Sequence, residues 1–266
     1  MRASAGAQVF TVTAYEIRKY LRGRRLLGML LLLGVIVALL LGLPPALGLK
    51  YATDPNEFVA SFANFTSILV VLAGVLFAAD ALVSEHEKRT GYFLFPNPVR
   101  REVLVLGKLA ASLLVSAVVV SLYYGAAAVA ALVVTGSVTW DIGLSYVYAL
   151  AYMTSVVGVA FLISSSLRTT TSATVLTFFL FMLIFNIVQA VLPLAKVNPW
   201  FIPTAAAGII SHVLSPTTGF RPPNGGGEFI TTYVPVVTTS LIVFTLYFIA
   251  ASLLAILLFR RRELSS

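Results

Sequence analysis

Long apolar runs separated by short polar clusters dominate the chain. Six of them, at about 26–43, 58–83, 103–134, 144–163, 173–192 and 236–259, approach or exceed the roughly 20 residues a helix needs to cross a bilayer core. They are too long for strands, and the short weak alternation of a membrane barrel is missing. Lipid offers the backbone no hydrogen-bond partner, so each run is predicted to be a helix. A seventh run, WFIPTAAAGIISHVL at 200–214, is short for a span and holds Pro203. It predicts a short re-entrant or interfacial helix before the last span, with Thr204 as its N-cap and Ser215-Pro216 as its stop. RPPNGGGE, 221–228, holds neither helix nor strand and reads as an exposed loop. Ahead of the first run, residues 8–25 set Phe10, Ala14, Ile17 and Leu21 on one helical stripe, with Glu16, Arg18, Lys19 and Arg22 off it. This is a basic amphipathic helix suited to the headgroup layer. Two roles stay open for it: an orientation anchor, or a lever that also touches a partner.

Composition turns this pattern into a fold class. With 59% hydrophobic and 11% charged residues and a mean hydropathy of +0.97, the chain cannot cover a water-facing surface. It is expected to be an all-α integral membrane protein with residues 1–266 forming a single transmembrane domain. The net charge of +8 raises nucleic acid as a partner only until the cations are placed. Arg2, Arg18, Lys19, Arg22, Arg24, Arg25, Lys88, Arg89, Arg100, Arg101, Lys108, Arg168 and Arg260 to Arg262 fall on one side of the predicted membrane, against Lys50, Lys196 and Arg221 on the other. The positive-inside rule then puts both termini, the 84–103 loop and the Arg168 loop in the cytoplasm, and 44–57, 135–143 and 193–235 outside. Topology accounts for the charge, so no nucleic-acid partner is needed. The first run is read as an uncleaved helix, because its 18 residues and long basic lead exceed a signal peptide's h-region of roughly 7 to 15.

Candidate chemistry is sparse. Asp80 lies about one turn inside the cytoplasmic end of the second span, where a carboxylate is either functional or satisfied by interfacial water or a neighbouring Arg. Asn186 and Gln189 share a face of the fifth span near the outer leaflet; they line a path or bond to another helix. Tyr123 and Tyr124 stand at a substrate surface or pack within the bundle. There is no cysteine, so disulfides and thiolate metal sites are excluded. His86-Glu87 lacks the second His of an HExxH site, and His86 and His212 fall on opposite sides of the membrane. No metal site and no catalytic residue are expected. There is no G-x-x-x-x-G-K-[ST] loop either, so energy from ATP must arrive through another polypeptide.

The densest polar segment is SEHEKRTGYFLFPNPVRREVLVLGK, between the second and third spans. Its charges are ordinary for a membrane exit, but Tyr92 to Phe95 between two charged clusters offer aromatic anchors to a partner groove with a polar rim. Glu85, Glu87, Lys88, Thr90, Pro98, Arg101 and Gly107-Lys108 resemble the motif that permease subunits of ABC-2 type transporters carry between these spans, with Thr90-Gly91 in place of Gly-Thr. The amphipathic N-terminal helix, the six spans and the outer loop with its short helix are similar too, so the resemblance covers essentially the whole chain.

The resemblance implies a non-enzymatic permease subunit in the plasma membrane. It works as a dimer, with a second copy or a related permease, and each copy docks on a separate P-loop ATPase subunit. ATP and Mg would sit on that ATPase, with no cofactor in this chain. Docking is expected at the coupling loop 84–103, through Glu85, His86, Glu87, Lys88, Arg89, Thr90, Gly91, Tyr92, Pro98 and Arg101. The helix carrying Glu16, Arg18, Lys19 and Arg22 is expected to be the connecting helix beside it. The cargo expected from nearly charge-free spans is hydrophobic or amphipathic, and export is the expected direction. A secondary transporter or channel predicts ionisable residues deep in the spans, and only Asp80 approaches that. A lipid-acting membrane enzyme or assembly factor is the other alternative, and it predicts clustered His, Asp or Glu at one interface.

Overall fold

The computed structural model of the protein describes residues 4–84, 101–215 and 233–261. Helix α1 (Ala5–Arg22) starts at Ser4, whose Oγ accepts from the Ala7 N–H at 3.3 Å. At Gly23 the backbone turns extended, and α2 (Arg24–Ala46) begins directly after it. Asp54 caps α3 (Pro55–Phe77) by accepting from the N–H groups of Asn56 and Glu57, with Pro55 at the first helical position. Then come α4 (Arg101–Thr135), α5 (Trp140–Ser166), α6 (Thr170–Ala195), the short α7 (Pro203–Ala206) and α8 (Ile209–His212), and α9 (Val237–Arg261). The described residues contain six helices long and apolar enough to cross a membrane, α2 to α6 and α9. The expected six-span all-α architecture is present.

Burial separates these helices into a centre and a rim. The apolar stretch of α5 is 67% buried and those of α3 and α4 are each 61%, whereas α2 and α6 are 11% and α9 is 22%. Lipid tails are as apolar as leucine, so what holds the centre together is close packing and bonds between helices. At Gly158 of α5 a Cβ would lie 3.1 Å from the Cα of Phe248, so the missing side chain is what lets α9 lie against α5. Tyr123 and Tyr124 of α4 each reach out of their own helix: Tyr123 donates to the Phe62 carbonyl at 2.9 Å. Tyr124 donates to Ser145 Oγ at 2.8 Å, and that hydroxyl donates on to the Ile210 carbonyl at 2.7 Å. This chain ties α4, α5 and α8 together. Such bonds are each worth roughly 0.6 to 2 kcal/mol in membranes.

Three expectations about local structure are corrected. The second span does not continue as helix to residue 83; α3 stops at Phe77 and the chain turns through Ala78 to Leu82 in a fully buried segment. Non-helical backbone at that depth survives only where its polar groups find partners. Ser164 of α5 supplies them, its Oγ accepting from the N–H groups of Leu82 at 3.0 Å and Val83 at 3.1 Å. The 200–214 run is two short helices broken at Ala207-Gly208 instead of one. Thr204 is not its N-cap: Ile202 caps α7 without a side-chain bond, Pro203 takes the first helical position, and the Thr204 hydroxyl donates to Gln189 Oε1 at 3.0 Å. Within α6, residues Leu180–Ile184 form a π turn, and Asn186 Nδ2 donates to the Phe181 and Met182 carbonyls beside it.

Candidate functional site

The polar side chains of the described interior concentrate at the end of the bundle that carries α1 and the junction of α3 with α4. Helix α4 has 35 residues and is therefore about 52 Å long, against about 30 Å of hydrocarbon in a bilayer. The surplus is several turns at one end, and α1 packs along it. At Gly107 a Cβ would come within 2.6 Å of Val12 Cγ1, so bare backbone is what admits α1 there. Thr13 Oγ1 donates to the Gly107 carbonyl at 3.1 Å and also approaches the Val9 carbonyl at 2.9 Å.

One turn further, Lys108 Nζ donates to Glu16 Oε1 at 2.6 Å, and both side chains are almost wholly buried. Lys19, half exposed, donates to the other oxygen, Glu16 Oε2, at 3.1 Å. A charge this buried is tolerated only when paired and hydrogen-bonded, and here one carboxylate satisfies two ammonium groups. Beyond it, Tyr20 stacks edge-on against Phe77 with ring centroids 5.4 Å apart. Its hydroxyl and that of Ser112 both donate to the Phe77 carbonyl at 2.7 Å. That carbonyl belongs to the last turn of α3, where helical partners run out. Burial pushes the Tyr20 phenol well above its ordinary range, so it remains a neutral donor.

Asp80, in the turn after α3, pairs with Arg25 at the start of α2. The expected neighbouring Arg is therefore present, although Asp80 is in a turn and not in a helix. Ser164 holds the same turn from the other side. Together, α1, α2, α4 and α5 all bond to the residues that flank segment 85–100. Both flanks are thereby bonded to α1 and to the central spans.

The expected coupling residues Glu85, His86, Glu87, Lys88, Arg89, Thr90, Gly91, Tyr92 and Pro98 lie outside the described residues. Arg101 opens α4, and its side chain also lies outside them. In α1, Arg18, Lys19 and Arg22 are exposed as expected. Glu16 is not: it turns inward, and so does the face Thr13, Glu16, Tyr20, while Phe10 and Leu21 of the apolar stripe point out. The reason is that Lys108 and the Phe77 carbonyl need polar partners more than the bundle needs another apolar contact. The spacing of 3 and 4 from Thr13 to Glu16 to Tyr20 was the available signal for this face. Lys108 and Ser112 carried no comparable signal, each being a single polar residue in an apolar run, and nothing set Ser164 apart from Ser165 and Ser166 beside it.

At the opposite end, Asn56 of α3 donates to Asp141 of α5 at 2.9 Å and accepts from Thr139. Gln189 and Thr204 join α6 to α7. Tyr123 and Tyr124 are buried with their hydroxyls engaged inside the chain, whereas Asn186 is on the exposed side of α6. Among the described residues, no group of three or more His, Cys, Asp or Glu is placed to hold a metal ion.

Comparison with known proteins converges on one family. A family model described as ABC-2 family transporter protein matches residues 10–264. A protein of Stutzerimonas stutzeri described as the probable ABC transporter permease protein NosY is 31% identical over 209 residues, 74% of this chain and 75% of that protein.

Proposed function

The chain belongs to the ABC-2 family of transporter proteins, and from that membership we propose that it exports a hydrophobic or amphipathic cargo, driven by a separate ATPase docked on residues 84–103. It is a multi-pass permease subunit of an ABC transporter, a transport component and not itself an enzyme. In the proposed assembly two permeases each hold one ATPase in the plasma membrane, with both termini and segment 85–100 cytoplasmic. The observation that carries the docking reading is the anchoring of both flanks of that segment. Glu16 with Lys108, Arg25 with Asp80, and Ser164 with the Leu82 and Val83 N–H groups link the flanks to α1 and the spans. A partner pressing on the segment then moves several helices at once, which is what a two-state interface biased by ATP requires. The largely exposed apolar stretches of α2, α6 and α9 supply surface for the second permease and for lipid.

Docking is tested with the purified permease and its ATPase subunit. Glu85→Ala with Arg89→Ala is expected to weaken their association at least about tenfold, the usual cost of losing interface anchors. Stimulated ATP hydrolysis falls with it, while hydrolysis by the free ATPase is unchanged. Unaltered binding and stimulation would remove the docking assignment.

Orientation has its own test, made simple by the absence of cysteine. A cysteine at Asn224 is expected to react with a membrane-impermeant maleimide in intact cells, and one at Ser265 only after permeabilisation. The reverse pattern would place the basic end outside and sink both the orientation and the cytoplasmic docking.

A further inference from the structure

Because the only acidic residue of α1 is turned inward, every charged side chain on the outward side of the helix is a cation. Glu16 is spent on Lys108 and Lys19, and Asp80 is spent on Arg25. Arg18 and Arg22, four residues apart on the same side, are exposed and have no acidic partner among the described residues. Beside Arg18 runs a groove of about 540 Å³ between α1 and α4, a size within the roughly 300 to 1,000 Å³ of small-molecule sites. Phe10, Ala14 and Ile17 of α1 and Ala110 and Leu114 of α4 line it, and Arg18 stands at its rim. Phe10 is 75% exposed, a placement that water disfavours and an acyl chain satisfies.

We propose that this groove is a binding site for one anionic phospholipid, its acyl chain along Phe10, Ile17 and Leu114 and its phosphate on Arg18 and Arg22. Charge decides between lipid classes. A zwitterionic phospholipid offers the same chain, but its ammonium cancels much of the attraction to two arginines, whereas an anionic headgroup keeps it. Guanidinium forks also match phosphate oxygens in pairs, which a diffuse surface attraction does not require. The site would steady the helix that is seated on Lys108, at the level where α4 leaves the hydrocarbon. The inference rests on the reading that the basic end faces the inner leaflet.

Fluorescence quenching tests it in the full chain. Trp140 and Trp200 are replaced by Phe, and Leu114→Trp places a reporter in the groove. The protein is reconstituted in vesicles of phosphatidylcholine containing dibromo-acyl phosphatidylglycerol or, separately, dibromo-acyl phosphatidylcholine. Phosphatidylglycerol is expected to quench with roughly tenfold preference, about fivefold from Arg18 in the groove lining and about twofold from Arg22 outside it. Arg18→Gln should cut the preference to about twofold, Arg18→Lys should recover part of it, and Lys50→Gln at the other end should leave it unchanged. Equal quenching by the two lipids, or a preference that survives Arg18→Gln, overturns the site. Quenching by neither lipid, with the reporter shielded when the ATPase subunit is added, would assign the groove to a protein contact instead. The permease reading fails separately, in the ATPase stimulation measurement.

Discussion

Replacing Lys108 with methionine is expected to cost the protein about 3 kcal/mol, because it leaves the Glu16 carboxylate buried without its nearest cation. Methionine fills much of the same volume, so the loss reports charge and not a cavity. Lys19 remains at 3.1 Å, but its side chain is half exposed, and a solvent-screened partner offsets only up to about 1 kcal/mol. In detergent, the midpoint of thermal unfolding followed by size-exclusion fluorescence should fall by roughly 5 to 10 °C. The decisive comparison is the double variant Glu16→Leu with Lys108→Met. Removing both charges together should return stability to within about 1 kcal/mol of the natural chain, since a buried pair is often replaceable by apolar residues. Were the double variant as weak as Lys108→Met alone, the pair would not be what holds α1 on α4. Packing of the lysine's aliphatic stem would be the explanation instead.

The second large effect is expected at Gly107. In an exposed helix interior, glycine to alanine normally gains up to about 1 kcal/mol of helix propensity. Here the new Cβ would stand 2.6 Å from Val12 Cγ1, 2.7 Å from Val12 Cβ and 3.2 Å from the Val9 carbonyl. Rotating Val12 moves Cγ1 but not Cβ, so α1 must retreat by about an ångström to restore ordinary contact distances. The retreat pulls Thr13 off the Gly107 carbonyl and stretches the bond between Glu16 and Lys108. A net loss of about 2 kcal/mol is expected, together with reduced stimulation of the ATPase subunit, because the displaced helix adjoins the docking segment. Val12→Gly removes both atoms in the way and should recover most of the loss, less about 1 kcal/mol for the new helical glycine. If Gly107→Ala stabilises the protein instead, α1 does not sit against α4 in the membrane.

These two effects fall where the chain was hardest to read in advance. The six spans were legible because a bilayer imposes one simple demand, some 20 apolar residues with every backbone group bonded within the segment. The placement of cations was legible for the same reason, and it is what suggested the orientation now open to labelling. The stripe of Phe10, Ala14, Ile17 and Leu21 was also plain, but its direction was not. In water the apolar face of an amphipathic helix turns inward, whereas beside a membrane both faces have somewhere to go, so the polar face is free to seek buried partners. Lys108 looked like one more cation at a membrane boundary, and only the seat of α1 across it takes it out of solvent. No glycine or proline follows Phe77 to announce the end of α3. That end exists because Tyr20, Ser112 and Ser164, brought in from three other helices, satisfy the backbone groups that the broken helix leaves.

By itself, then, the sequence determined the number and approximate positions of the membrane helices, the concentration of positive charge at one end and the family, all of which follow from local composition against a uniform solvent. Tertiary structure alone decided which face of α1 is inside, which charges are paired, and that both flanks of segment 85–100 are tied to the bundle. Those outcomes depend on pairs of groups 35 to 94 residues apart. No local pattern encodes a bond between groups so far apart, because its free energy exists only once the helices between them have packed.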